Sequence, residues 1–234
     1  FLKRRGIAVA LIASGNYFSG AIWPPLFNNT LQSDGWRDVY WILALSTVFI
    51  MIPLSFLLAK KISEETARIS DAASSDKRQN VSISPKALTI LLSIAGIGCC
   101  VAMSMPQVHI VAFCIDLGFG PAVGAEMLSL MLIGGIISRL INGLIADKLG
   151  GVYTLLIGST LQCIALFLYL PFDGLVSLYI VSLVFGLSQG GIVPSYAIII
   201  REYLPGADAG TRVGFVMMCT CLLYTSDAAD EFSC

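Results

Sequence analysis

The sequence predicts an all-α bundle of membrane-spanning helices, and three observations support this fold class. Hydrophobic residues make up 56% of the 234 residues and charged residues only 12%, with a mean hydropathy of +0.83. In a soluble domain about a quarter of the residues are charged. The apolar residues fall in blocks of about 20 residues, which is the length of helix that crosses a bilayer. The basic residues lie in alternate gaps between these blocks, as they do in the loops on one side of a membrane.

Six apolar blocks are long enough for a membrane span, and a seventh begins near residue 212. The six blocks cover residues 7–28, 38–59, 87–114, 121–145, 152–171 and 175–200. One long polar stretch, residues 60–86, separates the second block from the third. It is rich in Ser, Ala and charge, lacks apolar periodicity and has Pro85 near its end. These features predict a linker between two helical bundles.

Twelve of the fourteen basic residues lie in alternate loops. They are Lys3, Arg4, Arg5, Lys60, Lys61, Arg68, Lys77, Arg78, Lys86, Lys148, Arg201 and Arg212. Of the other two, Arg37 lies in an opposite loop and Arg139 inside a block. Because cytoplasmic loops carry the excess of positive charge, the pattern predicts a multi-pass protein of the cell membrane with the 60–86 linker in the cytoplasm. The formal net charge of −1 excludes a broad basic surface for nucleic acid.

Both ends of the chain are predicted to be truncated. The first residues already have the character of a basic loop between helices, without an initiating Met or a signal peptide. Residues 221–234 are interpreted as a tail derived from a sequencing adapter, because 221–231 match one reading frame of a transposon-end adapter. We therefore base the fold prediction on residues 1–220.

Small residues and prolines inside the blocks are typical of helices that pack closely in lipid. The small residues include Ser14, Gly15, Ser19, Gly20, Gly186, Gly190 and Gly191, and five of the seven cysteines, Cys99, Cys100, Cys114, Cys163 and Cys219, are interpreted in the same way. The cysteine spacing fits neither a metal site nor a secreted disulfide framework. The prolines Pro24, Pro25, Pro106 and Pro194 are expected to bend helices and to free backbone carbonyls.

Arg139 is the strongest candidate for a functional residue. A guanidinium near the middle of a span costs about 2.5–3.5 kcal/mol on insertion scales, so it usually faces a partner or a water-filled cavity. Its planar fork of donors fits a carboxylate in bidentate geometry, which predicts binding of an anionic substrate. The alternative is a structural contact with another helix, or a position nearer the cytoplasmic end of the span.

His109 and Asp116 are candidates for proton coupling. They are seven residues apart and therefore share one face of the third block. Histidine changes charge near neutral pH, and a carboxylate at a membrane boundary can take up a proton. The alternative is that Asp116 is a solvated end residue and His109 a polar packing residue. Glu126, in the external half of the next block, is a weaker interfacial candidate.

Five neutral residues are candidates for lining a cavity, with hydrogen bonding between helices as the alternative. They are Asn16, Tyr17, Asn142, Gln189 and Tyr196.

The stretch Gly143–Gly151, GLIADKLGG, resembles the G-x-x-x-D-R/K-x-G signature of the major facilitator superfamily. In that superfamily the signature forms the cytoplasmic loop between the second and third helices of a bundle, and here it stands between the second and third blocks after the linker. The residues of this conformational loop are Gly143, Asp147, Lys148 and Gly150. Further stretches resemble monocarboxylate transporters and their bacterial relatives, including the oxalate–formate group. They are residues 1–10, 13–15, 35–37, 108–111, 116–118 and 210–214.

This resemblance implies a bundle of the major facilitator type that runs from helix five to the start of helix eleven. Residues 1–59 would end the N-terminal bundle, 60–86 would form the linker and 87–220 would belong to the C-terminal bundle. In this group an arginine of the eighth helix binds the substrate carboxylate, and Arg139 stands at that position. Animal members have an aspartate four residues earlier, where this chain has Gly135. Proton coupling would then depend on another carrier, for which His109 and Asp116 are the candidates.

Together these features predict a secondary transporter of small organic anions, with monocarboxylates as the first choice, that works by alternating access. The predicted partners are the anion, the lipid bilayer and, if transport is coupled, protons. No cofactor, metal or nucleic acid is predicted. A carrier for a sugar, a drug or a dicarboxylate is the alternative within transport. An enzyme is not predicted, because the sequence has no phosphate loop, metal cluster or nucleophile constellation.

Overall fold

The computed structural model describes residues 4–33, 35–58, 65, 72, 83–171, 173–204 and 206–230. Within these residues the chain forms helices and no strand, which confirms the prediction of an all-α fold. Most of the predicted 60–86 linker and residues 231–234 lie outside the described residues.

Nine α-helices are present in the described part of the chain. They are α1 (Arg5–Ser33), α2 (Trp36–Ser46), α3 (Ile52–Leu58), α4 (Pro85–Asp116), α5 (Pro121–Leu149), α6 (Gly151–Leu168), α7 (Leu175–Gln189), α8 (Ile192–Tyr203) and α9 (Gly206–Asp230). A π-helical turn, Thr47–Met51, joins α2 to α3.

Five stretches of the described chain are long and apolar enough to cross a membrane. They are Trp36–Leu57, Pro85–Asp116, Pro121–Leu149, Gly151–Leu168 and Leu175–Tyr203. These stretches correspond to the second to sixth predicted blocks, while the first block lies within the 29-residue helix α1. The prediction of a polytopic membrane bundle is therefore confirmed.

Local sequence accounts for where the helices begin. Helix α4 starts two residues before the predicted block, because the Ser84 side chain accepts a hydrogen bond from the Ala87 N–H at 3.2 Å and Pro85 occupies the first helical position. Pro121 has the same role at the start of α5.

The predicted loop at Gly143–Gly151 is helical for most of its length. Helix α5 continues to Leu149, so Gly143, Asp147 and Lys148 lie on its last two turns. The helix ends at Gly150, whose φ of 87° is readily adopted only by glycine. Helix α6 begins directly afterwards, where the Gly151 N–H donates to a Glu202 carboxylate oxygen at 3.2 Å.

Two further elements differ from the predicted blocks. The sixth block is interrupted after Gln189, and the helix resumes as α8 at Ile192. The helix of the seventh block, α9, begins at Gly206 rather than near residue 212, and its backbone stays helical to Asp230. Helical backbone does not test the adapter interpretation of residues 221–234, which remains a prediction.

Helix α5 lies at the centre of the bundle and packs against α1, α4 and α7. Its buried residues recur every three or four positions along its length. Several glycines allow these close contacts: a Cβ at Gly186 would lie 2.5 Å from the Met131 carbonyl oxygen, and one at Gly190 would lie 2.5 Å from that of Gly135. Gly15, in contrast, has no atom near enough to contact an added Cβ, so it does not mediate packing among the described residues.

Two apolar clusters form the core around this centre. One joins α4, α8 and α9 through Leu92, Ile192, Tyr196, Ile199, Ile200, Leu204, Ala209 and Val216. The other joins α4, α5, α6 and α7 through Ile110, Cys114, Met127, Met131, Ala165, Leu178 and Phe185. Many apolar side chains elsewhere are exposed, as expected for helices whose solvent is lipid.

Candidate functional site

The guanidinium of Arg139 is buried at the centre of the bundle, with only 5% of the residue exposed. Its Nε donates a hydrogen bond to the Gly190 carbonyl oxygen at 3.2 Å, and its Nη1 donates to the Ala13 carbonyl oxygen. Both acceptors are neutral, and the described residues include no carboxylate in ion-pair contact with Arg139. The positive charge is thus held by dipoles rather than by a counter-charge.

Pro194 explains why the Gly190 carbonyl is available to Arg139. In a continuous helix this carbonyl would accept a hydrogen bond from the N–H of residue 194, but proline has no N–H. The span is interrupted at this point, between the end of α7 at Gln189 and the start of α8 at Ile192. Gly190 and Gly191 both keep helical dihedral angles, so the interruption is a gap in the helical hydrogen bonds and not an unwound segment.

The aromatic ring of Tyr17, on α1, covers Arg139. The guanidinium carbon lies 4.1 Å from the centroid of this ring, which is a cation–π contact. The same ring occupies the space next to Gly135, where an added Cβ would lie 3.1 Å from a ring carbon. The Tyr17 hydroxyl contacts the Met103 sulfur at 3.8 Å, so the ring reaches from α5 to α4.

A pair of glutamines lies next to this contact. Gln107, one turn after Met103 on α4, donates its side-chain N–H to the Gln189 Oε1 at 2.9 Å. Gln189 is fully buried and directly precedes Gly190. Asn142, one turn after Arg139, donates instead to the carbonyl and hydroxyl oxygens of Ser138, at 2.9 and 3.0 Å.

Helices α1 and α5 make a second contact at the end of the bundle that carries most of the described basic residues. We call this end the basic face and define it by Lys86, Lys148, Arg201 and Arg212. The Asp147 carboxylate accepts hydrogen bonds from the Gly6 N–H at 2.6 Å and from the Ile7 N–H at 3.1 Å. A carboxylate is favourable at this position because the first N–H groups of a helix have no partner within it.

Between Arg139 and the basic face, the cleft between α1 and α5 is closed. Its lining includes Ala10, Asn142, Ala146 and Ile198, and it leaves no space for a water molecule. In this structure Arg139 is therefore separated from the basic face.

The structure does not bring the proton-coupling candidates to Arg139. His109 and Asp116 are exposed on α4, and Asp116 is the last residue of that helix. Glu126, near the start of α5, accepts a hydrogen bond from the Tyr179 hydroxyl.

Of the five cavity-lining candidates, Tyr17 contacts Arg139 directly. Gln189 directly precedes Gly190, whose carbonyl accepts from Arg139, and Asn142 lies one turn after Arg139 on α5. Asn16 is exposed, and Tyr196 lies in the core cluster of α4, α8 and α9. Sequence reasoning missed Met103 and Gln107, and the carbonyls of Ala13 and Gly190. For Gly190 a signal was present, since Pro194 stands four residues later and frees that carbonyl.

Comparison with known proteins agrees with this architecture. The family model of the Major Facilitator Superfamily matches residues 2–225. Monocarboxylate transporter 13 of Rattus norvegicus is 24% identical over 93% of this chain and 50% of its own length. MFS-type transporter 1 of Ophiocordyceps sp. (strain BCC 1869) is 21% identical over 92% of the chain and 46% of its own length. The agnestins efflux protein AgnL12 of Paecilomyces divaricatus is 24% identical over 93% and 48%.

The chain spans about half the length of the curated relatives it matches. The family match covers nearly all of this chain, and the matched residues include the central helix α5, the interrupted span and the buried arginine. The protein therefore belongs to the Major Facilitator Superfamily of membrane transporters.

Proposed function

We propose that this chain is part of a secondary carrier for small organic anions, in which Arg139 binds the substrate carboxylate. The observation that carries the proposal is a buried guanidinium that, within the described part of the chain, contacts neutral carbonyls and an aromatic ring. A charge in this position is costly unless it is compensated. An anion that replaces these contacts would supply the missing counter-charge and a bidentate hydrogen bond.

Among organic anions we favour monocarboxylates. Two relatives are named monocarboxylate transporters, and a single guanidinium matches a single carboxylate. A carrier for another solute is the second candidate, because another relative is named an efflux protein for agnestins.

The contact between α1 and α5 supports alternating access. Hydrogen bonds at Asp147 and the closed cleft below Arg139 hold the basic face shut, so substrate would reach Arg139 from the opposite face. Separation of α1 from α5 would then open the path toward the basic face, which we assign to the cytoplasm because of its positive charge. In this scheme residues 1–59 and 87–220 belong to two bundles, joined by the linker 60–86.

Proton coupling is a separate proposal, with His109 and Asp116 as the carriers. They lie on one face of α4, with Asp116 at the end of the helix away from the basic face. Both side chains are exposed on α4. His109 stands two residues after Gln107, which donates a hydrogen bond to Gln189 next to the Arg139 contacts, so movement of α4 would link the two places.

The test compares Arg139→Gln with Arg37→Gln, a matched control at an exposed arginine that contacts Trp36. Binding of a series of monocarboxylates is measured by calorimetry on a full-length relative that carries the equivalent changes, in lipid nanodiscs. Uptake at acidic and neutral external pH is measured in vesicles that contain a full-length relative with the equivalent changes. A hydrogen bond to a charged group contributes about 1.5–3 kcal/mol, so Arg139→Gln should weaken anion binding by at least about tenfold.

Anion binding that is equally strong in the wild type and in Arg139→Gln would contradict the proposal and favour a different solute. Uptake that does not rise at acidic external pH, or that is unchanged after His109→Gln and Asp116→Asn, would remove the proton-coupling part and leave the anion site intact.

A further inference from the structure

A cavity of about 300 Å³ lies at the basic face, near the starts of α4 and α9. Its lining residues are Thr89 on α4 and Asp208, Thr211, Arg212 and Phe215 on α9. None of them lines the closed cleft below Arg139. The cavity is therefore distinct from the proposed substrate site, and the proposed function gives it no role.

Arg212 connects the two helices that border this cavity. Its Nη1 donates to the Pro85 carbonyl oxygen at 3.3 Å and to the Thr89 hydroxyl at 3.1 Å. Its Nε is buried and has no hydrogen-bond partner among the described residues. Because a guanidinium has five N–H groups, the contacts within the described part of the chain leave Arg212 with donors for a further oxygen acceptor.

Asp208 compensates the charge of Arg212 only in part. Its carboxylate oxygen lies 3.6 Å from the Arg212 Nη2, and 61% of the Asp208 side chain is exposed, against 22% of the Arg212 side chain. Water and salt screen such a pair, so it contributes little to stability. The Asp208 carboxylate would repel an anion that entered the cavity, while Arg212 would attract it.

The cavity has a polar part and an apolar part. Thr211 and Arg212 lie near the start of α9, and Phe215, one turn further along the helix, is 46% exposed. The cavity lies where the span Pro85–Asp116 begins, which is the level of the lipid headgroups. A phosphate next to Arg212, with acyl chains along Phe215, fits this order of polar and apolar groups.

We infer that the cavity at Arg212 binds the phosphate group of an anionic phospholipid. The planar fork of donors on Arg212 is suited to phosphate oxygens, and Phe215 would contact the acyl chains. The basic face, which the proposed function assigns to the cytoplasm, would meet the leaflet that is rich in anionic lipids. The bound lipid would hold the start of α4, directly after the 60–86 linker, to the start of α9. Because it concerns a lipid and not the carried solute, the inference does not depend on Arg139 as an anion site.

The experiment uses a full-length relative that has the same residues at the positions to be changed, purified in detergent. It is titrated with phosphatidylglycerol, which is anionic, and with zwitterionic phosphatidylcholine, and bound lipid is measured by native mass spectrometry. The variants carry the equivalents of Arg212→Gln and Asp208→Asn. Arg201→Gln is the matched control, because Arg201 is another cation of the basic face and does not line the cavity.

We expect Arg212→Gln to lower phosphatidylglycerol affinity about fivefold, the contribution of one basic side chain near anionic headgroups, while Arg201→Gln keeps it within about twofold. Asp208→Asn should raise the affinity severalfold, because it removes the repulsion and leaves Arg212 in place. Phosphatidylcholine affinity should change less in both variants. Opposite effects of the two partners are not expected of an ion pair that only stabilises the fold. Since Asp208 is exposed, Asp208→Asn tests the site even if Arg212→Gln does not fold.

Glycerol 1-phosphate, which has the phosphate but no acyl chain, distinguishes a lipid from a free anion. We expect it to leave bound phosphatidylglycerol in place, and Phe215→Ser to weaken phosphatidylglycerol binding. Displacement of the lipid by an equal concentration of glycerol 1-phosphate would overturn the lipid assignment. Equal phosphatidylglycerol affinity of the wild type and Asp208→Asn, or equal losses in Arg212→Gln and Arg201→Gln, would overturn the site itself.

Discussion

At the scale of the residue, the contact between Tyr17 and Arg139 depends on the absence of a side chain at Gly135. The ring lies 4.1 Å from the guanidinium carbon, and an added Cβ at Gly135 would come within 3.1 Å of a ring carbon. A cation–π contact of this kind contributes about 0.5–2 kcal/mol, which is weaker than a buried ion pair in good geometry. Under the proposed function, an anionic substrate would therefore replace the ring.

A first prediction follows for Gly135→Asp. The new carboxylate would displace the Tyr17 ring and pair with Arg139, four residues away on the same face of α5. Because the carboxylate would compete with the substrate, we expect anion affinity to fall by about tenfold or more at neutral pH. Protonation of the carboxylate at acidic pH should release Arg139, so affinity should rise as the pH falls.

Calorimetric binding of a monocarboxylate at neutral and acidic pH checks this prediction. Gly15→Asp, at a glycine without neighbours within contact distance of an added Cβ, is the control for an added charge on a helix. Equal anion affinity of Gly135→Asp and the wild type at neutral pH would show that position 135 does not influence Arg139.

At the scale of the element, the interruption of the sixth span leaves the Gly190 carbonyl as an acceptor for Arg139. Pro194 removes the N–H that would otherwise bond to the Gly190 carbonyl. This carbonyl then accepts from Arg139, and Gln189 becomes the last residue of α7. The backbone continues from α7 into α8 without a change of conformation, since Gly190 and Gly191 both have helical dihedral angles.

A second prediction concerns Pro194→Ala. Alanine restores the N–H four residues after Gly190, which would compete with Arg139 for the carbonyl and favour a continuous helix. We expect thermal stability to be kept or to increase, while anion affinity changes by about tenfold. Melting temperature and anion binding are measured in parallel.

Pro121→Ala, at the first position of α5, is the control, because proline there interrupts no helical hydrogen bond. Equal effects of the two substitutions on binding would argue against a role for the interruption.

At the scale of the whole molecule, the contact between α1 and α5 lies at the closed basic face. Gly6 lies against the Gly143 carbonyl, and Asp147 accepts hydrogen bonds from the N-terminus of α1. These contacts join the first described helix to the central helix at the basic face. Under the proposed alternating access, these contacts would break and reform.

A third prediction uses this contact to shift the equilibrium between open and closed states. A methyl group at position 6 would overlap the Gly143 carbonyl, so Gly6→Ala should favour opening at the basic face. Gly15→Ala is the matched control, because no atom of the described residues lies near enough to contact its added Cβ, and it should stabilise α1 by about 0.5–1 kcal/mol.

The measurement is labelling of a cysteine placed at Ala146, which is 5% exposed and lines the closed cleft, by a water-soluble thiol reagent. We expect Gly6→Ala to increase the labelling of Ala146→Cys several-fold over Gly15→Ala. Labelling at Ala125→Cys, exposed near the other end of α5, should stay constant. Equal labelling of Ala146→Cys in both glycine variants would show that this contact does not close the basic face.

The sequence by itself determined the fold class and the number and order of the later spans, and it singled out Arg139 as a charge inside a span. These properties depend on hydrophobic length and on the positions of rare charges, and both can be read along the chain without knowledge of contacts. The tertiary structure alone showed that Tyr17 covers Arg139, that Gln107 orients Gln189 and that Asp147 binds the start of α1. In a membrane the faces of a helix toward lipid and toward protein are both apolar, so periodicity does not reveal which residues meet across helices.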